Sequence, residues 1–377
     1  MNRIFFIDPQ SYSNLGVYDY SLLNNNIEFD ILFFGNTLFT SPEFKNIKFI
    51  PLFRYSNHSN KFLKISSYFV SIVRLFLFII IKRPNLIHIQ WIKFWWLDYY
   101  FLKLLKKCIR IKIVYTAHNI LPHESKINEF SKYQKYYHIV DVIITHAINS
   151  KKDLIDKFSV PESKIEIIPH GILSFNTNSL LVENYIKQFK LKYSTENKIV
   201  FATLGNQSFY KGSDIIARIW SETPQLHDES KYILLIFGKN NNIDFSNLDK
   251  ITNVFIENRF VNEEEFTALL RLTNVLLLPY RTISQSGVLL SAINESIPVL
   301  VSNVGGLPEP LEIADIGWNI GEASFENLQK YLLLLINSPQ IIDEKKINKE
   351  NWDNVKSYYS WVDISKKTFK LYNNIID

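Results

Sequence analysis

The feature of this sequence that most constrains its fold is a series of short, mostly apolar runs separated by longer segments of helical pattern. Strands with helices on both faces are continuously apolar rather than alternating, and such strands between helices make βαβ units. The pattern therefore predicts parallel sheets. The expected strands are Ile4–Ile7, Ile31–Phe34, Leu86–Gln90, Lys112–Thr116, Val142–Thr145, Ile165–Ile168, Ile199–Leu204, Tyr232–Phe237, Val254–Ile256, Val275–Leu278 and Pro298–Val301.

A polar, Asn-rich stretch, 171–198, interrupts the strand pattern, which restarts at Ile199. We predict an α/β fold of two Rossmann-like, doubly wound domains facing a central cleft, with residues 1–172 in the first and 173–355 in the second. The amphipathic segment 356–377 is expected to complete the first domain. Ligands of open parallel sheets bind beyond the carboxyl ends of strands, so the loops there are the places to look for functional residues.

A polar turn follows the expected strand Val275–Leu278 and ends at Ser286-Gly287, before an apolar helix. Ser is a good helix cap, the first helical amides have no internal partner, and Gly lets a phosphate approach the backbone. The turn fits either an ordinary helix cap or an anion site. Gly305-Gly306, followed by Glu309, fits either a glycine turn or a bend beside a ligand.

Two other strand-end loops carry candidate residues. Lys211, between Gly205 and a helical segment, is either a diphosphate-binding lysine or a solvated one. His118 ends the expected strand Lys112–Thr116, and a histidine there suits a phosphate or a sugar hydroxyl. The spacing of His118 to the following His123 and Glu124 matches no recognised zinc pattern, so we predict no metal site.

Several stretches occur in the order expected of GT-B glycosyltransferases: "RPNLIHIQW", "VYTAHNILPHE", "YKGSD", "LLLPYRTISQSGVL" and "IPVLVSNVGGLPE". Together they resemble the large retaining family 4, which uses nucleotide-sugar donors, and the resemblance runs from about Arg3 to Glu309. It implies that the second domain holds the nucleotide and the first holds the acceptor. It also implies transfer without a metal and without any cofactor beyond the nucleotide-sugar co-substrate.

The resemblance assigns Lys211 to the donor diphosphate and His118 to the region of the transferred sugar, as the catalytic residues. Gly16 matches the glycine loop near the donor phosphate or acceptor, and Arg259-Phe260 matches the segment beside the base. The remaining implied residues are Asn206, Ser208, Gln285, Ser286, Gly287, Val288, Ser291 and Glu309 for the donor, and Asn119, His123 and Glu124 for the acceptor.

The sequence departs from the family pattern near the implied donor site. Asn206, Gln207 and Ser208 stand where an arginine usually precedes the lysine. The usual pair of glutamates is missing, with Gln285 and Ser291 near their places, and the first loop keeps one glycine, Gly16. A subgroup with "QSGVL" in place of the acidic motif looks similar. We therefore expect Lys211 and helix amides, rather than carboxylates, to carry the chemistry.

Two segments raise the question of a membrane. Phe62–Ile81 is strongly apolar but interrupted by Lys64 and Arg74, and we interpret it as a buried helix rather than a surface or spanning one. The aromatic cluster Phe94–Trp96, with the basic stretch Leu102–Lys112, forms either a core helix with snorkelling lysines or an edge that meets a membrane. In the second case the acceptor is a lipid-linked saccharide of a surface polysaccharide or glycan.

Composition sets the remaining expectations. The net charge of +5 suits anionic substrates or an anionic membrane face, and no nucleic acid partner is expected. A single cysteine, Cys108, favours the cytosol, with peripheral contact at the inner face of the cell membrane. A UDP-sugar is the favoured donor and a GDP-sugar the second choice. The alternatives are a non-catalytic sugar-nucleotide-binding partner of another transferase, or a phosphorylase or epimerase on the same fold.

Overall fold

The computed structural model describes residues 1–12, 14–40, 44, 46–121, 127–173 and 177–377. The chain separates into two compact units, and each contains one parallel sheet covered by helices. The first unit is Met1–Gly171 together with Tyr359–Asp377, and the second is Ile172–Tyr358. The α/β class predicted from the apolar runs is confirmed.

The first sheet has seven strands in the order β3-β2-β1-β4-β5-β6-β7, and all its pairs are parallel. The second has six strands in the order β10-β9-β8-β11-β12-β13, also all parallel. The strands are β1 Arg3–Ile7, β2 Asp30–Asn36, β3 Ile47–Phe53, β4 Leu86–Ile89, β5 Lys112–Thr116, β6 Val142–Thr145, β7 Ile165–Ile167, β8 Ile199–Leu204, β9 Tyr232–Phe237, β10 Val254–Glu257, β11 Val275–Leu278, β12 Val299–Val301 and β13 Gly317–Asn319.

In each sheet the strand order reverses at one point, between β1 and β4 in the first and between β8 and β11 in the second, where doubly wound folds bind ligands. The helices are α1 Asn14–Leu23, α2 Lys61–Lys82, α3 Trp95–Cys108, α4 Ile127–Ile139, α5 Ile148–Asp156, α6 Ser179–Tyr193, α7 Ser213–Glu222, α8 Glu263–Leu272, α9 Gly287–Asn294, α10 Glu309–Ile313, α11 Phe325–Asn337, α12 Gln340–Ile347, α13 Lys349–Tyr358 and α14 Trp361–Ile376.

The strands of the first sheet are apolar throughout because both faces are covered. Phe5 packs into one core cluster with Leu75 of α2, while its neighbour Phe6 packs into another with Tyr18 of α1 and Tyr372 of α14. The C-terminal helix therefore supplies part of the first unit's core.

The structure contains elements that the sequence pattern did not predict. Strand β3 contains Pro51 and lies at the edge of its sheet, where a missing amide is tolerated, and β13 is only three residues long. Helix α6 lies within the stretch 171–198, which we expected to be only a break between domains.

The prediction of a buried helix at Phe62–Ile81 is wrong in one respect. The segment is helical, as α2, but it buries only one face, through Tyr68, Ser71, Ile72, Leu75 and Ile79. Its other face exposes large apolar side chains, because a helix that packs on one side of a sheet has only one covered face. By length and composition α2 is long and apolar enough to cross a membrane. The exposed side chains are Phe62, Leu63, Phe69, Val70, Val73, Leu77, Ile80 and Ile81.

Candidate functional site

In the second unit, the turn after β8 brings Lys211 against the loop that follows β11. Gly212 adopts a φ of +70°, and a Cβ there would lie 2.1 Å from the carbonyl oxygen of Pro279. Only glycine accepts both that conformation and that approach. The turn therefore depends on Gly212 for its contact with the β11 loop.

Lys211 lies half-buried beside the first residues of α9. Its Nζ is 5.6 Å from the ring centroid of Tyr280. A Cβ added to Gly205 would be 3.2 Å from that Nζ and 3.6 Å from Cγ2 of Val288, so all three residues meet at one point. Burial lowers the pKa of Lys211. No carboxylate forms an ion pair with it in the part of the chain that the structure describes, and such an ammonium group favours a bound anion.

The N-terminus of α9 offers the second half of an anion site. Ser286 caps the helix as predicted, and its Oγ accepts a hydrogen bond from the Leu289 amide at 3.3 Å. The amides of Gly287 and Val288 come before the first intrahelical bonds, and the positive end of the helix dipole lies there. The structure thus brings together Lys211, Gly287 and Val288, which the sequence had assigned to the donor phosphates.

Two predicted donor-binding side chains carry polar atoms with unmet hydrogen-bonding capacity. The Oγ of Ser208 and the Oε1 of Gln285 are buried and have no hydrogen-bond partner among the described residues. Ser208 lies in the turn that carries Lys211, and Gln285 precedes the cap of α9. A buried polar atom without a partner is costly, so a ligand that pairs with these atoms would recover that cost.

A pair of charged residues missed by the sequence reasoning fastens the two loops together. The guanidinium group of Arg281 donates two hydrogen bonds, each 2.7 Å, to the carboxylate of Asp214. It also stacks 3.9 Å from the ring centroid of Phe209. Asp214 lies in the first turn of α7 and Arg281 in the loop after β11, and the opposite charges of these two residues were the available signal in the sequence. This Arg281–Asp214 bridge holds the Lys211 turn against the α9 loop.

The other predicted donor residues have different surroundings. Arg259 forms ion pairs with Glu265 at 2.8 Å and Glu257 at 3.2 Å, so its guanidinium braces the capping box of α8. Phe260 beside it is 84% exposed. Asn206 is exposed, Ser291 is buried within α9, and Glu309 is the first residue of α10.

In the first unit, His118 lies just beyond β5 in a tightly packed polar cluster. Its Nδ1 is 3.1 Å from Nε2 of His146, and its Nε2 is 2.9 Å from the side-chain amide of Gln90. Its ring stacks on Trp91, with centroids 4.6 Å apart, and the edge of Tyr18 contacts it at 4.8 Å. Sequence reasoning found His118 but missed these neighbours. Gln90, Trp91 and His146 follow the strands on either side of β5, and Tyr18 lies on α1.

The histidines of this cluster are neutral near pH 7. Burial lowers the pKa of His88 and of His146 to about 3 and that of His170 to about 4. Burial, followed by the neighbouring histidines, holds the pKa of His118 well below its usual value. His118 can therefore orient a substrate by hydrogen bonding but does not supply positive charge for a diphosphate.

The structure describes some, but not all, of the remaining predicted residues of the first unit. Gly16, expected in a loop, lies in the first turn of α1, where a Cβ would be 3.0 Å from the Phe39 ring. Asn119 follows His118 and is half-buried. His123 and Glu124 lie outside the described residues. Within those residues, no group of three or more His, Cys, Asp or Glu could hold a metal ion.

Helix α3 carries part of the predicted aromatic edge. Trp96 is 49% exposed and Tyr100 is 61% exposed, while Leu97, Phe101 and Leu105 face the core. One face of α3 is thus core and the other presents aromatic side chains to solvent, and contact of that exposed face with a membrane stays a prediction.

Two parallel sheets of this topology, with candidate residues at their carboxyl edges, define the class of GT-B glycosyltransferase folds. Sucrose-phosphate synthase from Thermosynechococcus elongatus superposes with a TM-score of 0.71 at 14% identity, covering 100% of this chain and 99% of that one. Anabaena HepE in complex with UDP-glucose gives a TM-score of 0.69 at 13% identity, covering 99% and 100%.

Residues 22–172 match the family model described as Glycosyltransferase Family 4. An uncharacterized glycosyltransferase of Methanocaldococcus jannaschii is 22% identical, covering 93% of this chain and 90% of that protein. The phosphatidylinositol N-acetylglucosaminyltransferase GPI3 subunit of Saccharomyces cerevisiae is 24% identical over 63% of this chain. The match spans about half, 51%, of that yeast protein. The predicted resemblance is confirmed as far as the matches reach: residues 22–172 match the family 4 model, and the whole chain shares its fold with solved GT-B glycosyltransferases.

Proposed function

We propose that the chain transfers a sugar from a nucleotide-diphosphate donor to a saccharide acceptor, with retention of configuration and without a metal ion. The observation that carries this proposal is the ammonium group of Lys211, which has no carboxylate partner among the described residues and lies beside the first residues of α9. A UDP-sugar is the favoured donor, since the structurally similar HepE is described with UDP-glucose bound. A GDP-sugar is the second choice.

The proposed reaction places the developing charge on this site. As the bond between the sugar C1 and the β-phosphate oxygen breaks, the electron pair goes to the diphosphate. Lys211 and the amides of Gly287 and Val288 stabilise that charge. The acceptor hydroxyl bonds to C1 from the same face, and its proton passes to the departing phosphate oxygen. No carboxylate base is needed, in keeping with the missing pair of glutamates.

A matched pair of lysine variants tests the role of Lys211. Lys211→Ala should lower kcat roughly 10²- to 10³-fold, the loss typical when one donor of a charge-stabilising site is removed. Lys250→Ala removes an exposed lysine from the same unit and should leave transfer unchanged. Equal activity of Lys211→Ala and wild type would reject the proposal.

Two further measurements separate the proposal from its alternatives. NMR of the purified product should show the anomeric configuration of the donor, and EDTA should leave the rate unchanged. The product should include free nucleoside diphosphate, which a phosphorylase would not release. A pure protein that binds a nucleotide-sugar but never turns it over would support the non-catalytic partner instead.

We propose further that the acceptor is a lipid-linked saccharide and that the protein works at the cytoplasmic face of an anionic membrane. The name of the yeast relative refers to a phosphatidylinositol-based acceptor, which supports a lipid-linked substrate. Surface polysaccharide or glycan biosynthesis is the setting that this acceptor class implies.

The exposed face of α2 is the surface that we assign to the membrane. Its apolar side chains, among them Phe69 and Leu77, form one stripe along a 22-residue helix about 33 Å long. Between Glu43 and Asp98 the sequence has no acidic residue. The basic residues of this interval favour an anionic lipid surface over a second copy of this basic chain. They are Lys45, Lys48, Arg54, Lys61, Lys64, Arg74, Lys82, Arg83 and Lys93.

Vesicle sedimentation tests this surface. The wild-type protein should pellet with vesicles that contain an anionic lipid, and the double variant Phe69→Glu/Leu77→Glu should bind more than about tenfold more weakly, since each buried apolar side chain contributes roughly 1.5–3 kcal/mol. Leu191→Glu, at an 84% exposed position of α6, is the control and should bind like wild type. Absence of lipid-dependent pelleting would reject the membrane assignment while leaving the transfer reaction open.

A further inference from the structure

Polar side chains at and beyond the ends of neighbouring strands in the first sheet form one continuous hydrogen-bonded chain. It starts at the carbonyl of Ile168, just beyond β7, and ends on α14. All its members except the half-buried His118 are almost fully buried. We call it the histidine chain; its members are His146, His118, Gln90, His88 and Tyr372.

The Ile168 end fixes where the protons lie. A carbonyl oxygen only accepts, so Nδ1 of His146, 2.8 Å away, carries a proton. A neutral His146 then has a bare Nε2, which lies 3.1 Å from Nδ1 of His118. That second nitrogen must donate. A neutral His118 is therefore protonated on Nδ1 and keeps a lone pair on Nε2.

Gln90 must be oriented to match. An oxygen at the Oε1 position, 2.9 Å from the Nε2 of His118, would set two acceptors against each other. Turning the amide by 180° about its last bond exchanges its oxygen and nitrogen and directs the NH₂ to His118. Nε2 of His88 then donates to the turned amide oxygen, 3.0 Å away, and to the Thr116 hydroxyl oxygen, 2.7 Å away. The Tyr372 hydroxyl donates to the other nitrogen of His88.

This arrangement satisfies every member without a charge, and all the hydrogen bonds point toward Ile168. The alternative keeps the amide as placed and makes either His118 or His146 an imidazolium ion. Burial holds the pKa of both histidines well below the usual value, which opposes a cation in this cluster.

We propose that His146 is a positioning residue that holds His118 as the neutral Nδ1–H tautomer, with Nε2 as a hydrogen-bond acceptor to which the Gln90 amide donates. The catalytic consequence rests on the proposed transfer reaction. A group that takes the place of Gln90 at Nε2 must bring a hydrogen, as a sugar hydroxyl does. An unprotonated phosphate oxygen is itself an acceptor, so it would be repelled by the lone pair on Nε2 of His118. The sequence had left both ligands open for His118.

The direct test is the tautomer of His118 in the wild-type protein, free of substrate. Two-bond ¹H–¹⁵N spectra of protein labelled in its histidine rings, with His118→Asn for assignment, distinguish protonated from bare ring nitrogens. We expect a protonated Nδ1 and a bare Nε2 near pH 7. A proton on Nε2, in the other tautomer or in the imidazolium ion, would overturn the proposal.

Variants of His146 add a kinetic readout. His146→Phe removes the acceptor for Nδ1–H, so His118 should become a mixture of tautomers and kcat should fall roughly two- to tenfold, the worth of one hydrogen bond. The carbonyl of His146→Gln can accept the same bond and should restore both the tautomer and kcat. A folded His146→Phe protein that keeps the Nδ1–H tautomer and full kcat contradicts the role of His146.

A third variant covers the case in which His146→Phe does not fold. Gln90→Leu leaves the His146 contact in place, so His118 should remain protonated on Nδ1; a change of tautomer there would count against the proposal. The outcomes separate the two hypotheses. The expected tautomer in a protein that transfers no sugar would reject only the proposed function, and sugar transfer with the opposite tautomer would reject only this inference.

Discussion

The carboxyl edges of the two sheets carry opposite kinds of polar chemistry. At the first, the histidine chain pairs its groups internally and is neutral near pH 7. At the second, Lys211 lacks a carboxylate partner in the described part of the chain, and Ser208 and Gln285 each hold a buried polar atom with no partner there. An edge whose polar groups are already hydrogen-bonded to one another suits the orientation of a neutral group. An edge with a positive charge and with polar atoms that lack partners suits the binding of an anion.

This difference assigns separate tasks to the two sheets. In the proposed reaction, the second unit stabilises charge through backbone amides and the Lys211 ammonium group, and the first unit orients hydroxyl groups. Variants at each edge should therefore fail in different ways.

The largest expected effect is on the turn that carries Lys211. Gly212→Ala should lower the free energy of unfolding by roughly 2–5 kcal/mol, because it adds left-handed strain of roughly 1–2 kcal/mol to a steric clash with Pro279 that costs roughly 1–3 kcal/mol. The control is Gly321→Ala, where φ is +75° but the nearest atom to the new Cβ is 3.9 Å away. Urea unfolding measures both. Equal losses of unfolding free energy in the two variants would mean that contact with the β11 loop does not hold the Lys211 turn in place.

The next effect concerns the Arg281–Asp214 bridge. Asp214→Ala leaves the guanidinium without its carboxylate and frees the Lys211 turn, so donor binding should weaken roughly tenfold, equivalent to about 1.4 kcal/mol. Glu222→Ala breaks the exposed pair with Arg218, 3.0 Å apart, and should change donor affinity little. Calorimetric titration with UDP compares them, and a similar affinity in both variants would refute the positioning role of the bridge.

The third effect is a pH dependence at the first edge, which is smallest near pH 7. His146 has a lowered pKa of about 3, so between that value and about 6.5 the unfolded chain binds a proton that the native state does not. This histidine therefore destabilises the native state progressively as the pH falls below about 6.5. His146→Gln lacks that loss and should gain stability relative to wild type by at most about 1.4 kcal/mol per pH unit from pH 6.5 to 5.

Unfolding curves of both proteins at pH 7.5, 6 and 5 check the difference. His88, His118 and His170 occur in both proteins, so their contributions largely cancel. A stability difference that stays constant with pH would show that His146 is not buried as a neutral ring.

Most of the fold could be predicted because parallel strands with two covered faces leave a plain apolar signature. The strand Tyr232–Phe237 has the same bounds in the prediction and in the structure. Strand β3 was not predicted because it contains Pro51 and mixes exposed, half-buried and buried residues at a sheet edge. The exposed face of α2 could not be predicted, since a helix that is apolar on all sides does not reveal which side packs.

Only some residues of the candidate site could be predicted from the sequence. Lys211 and Ser286 stood out because glycine and serine mark strand-end turns and helix caps. The Arg281–Asp214 bridge joins loops 67 positions apart. His146 lies 28 positions from His118, and only the register of the sheet brings them together. Which residues meet across neighbouring strands depends on the topology of the sheet, so a local sequence motif does not predict these contacts.

The most direct test of the account is a crystal structure of the protein with UDP bound. We predict that the β-phosphate lies within hydrogen-bonding distance of Lys211 Nζ and of the amides of Gly287 and Val288 in the second unit. A nucleotide whose β-phosphate contacts neither Lys211 nor the N-terminus of α9 would contradict it.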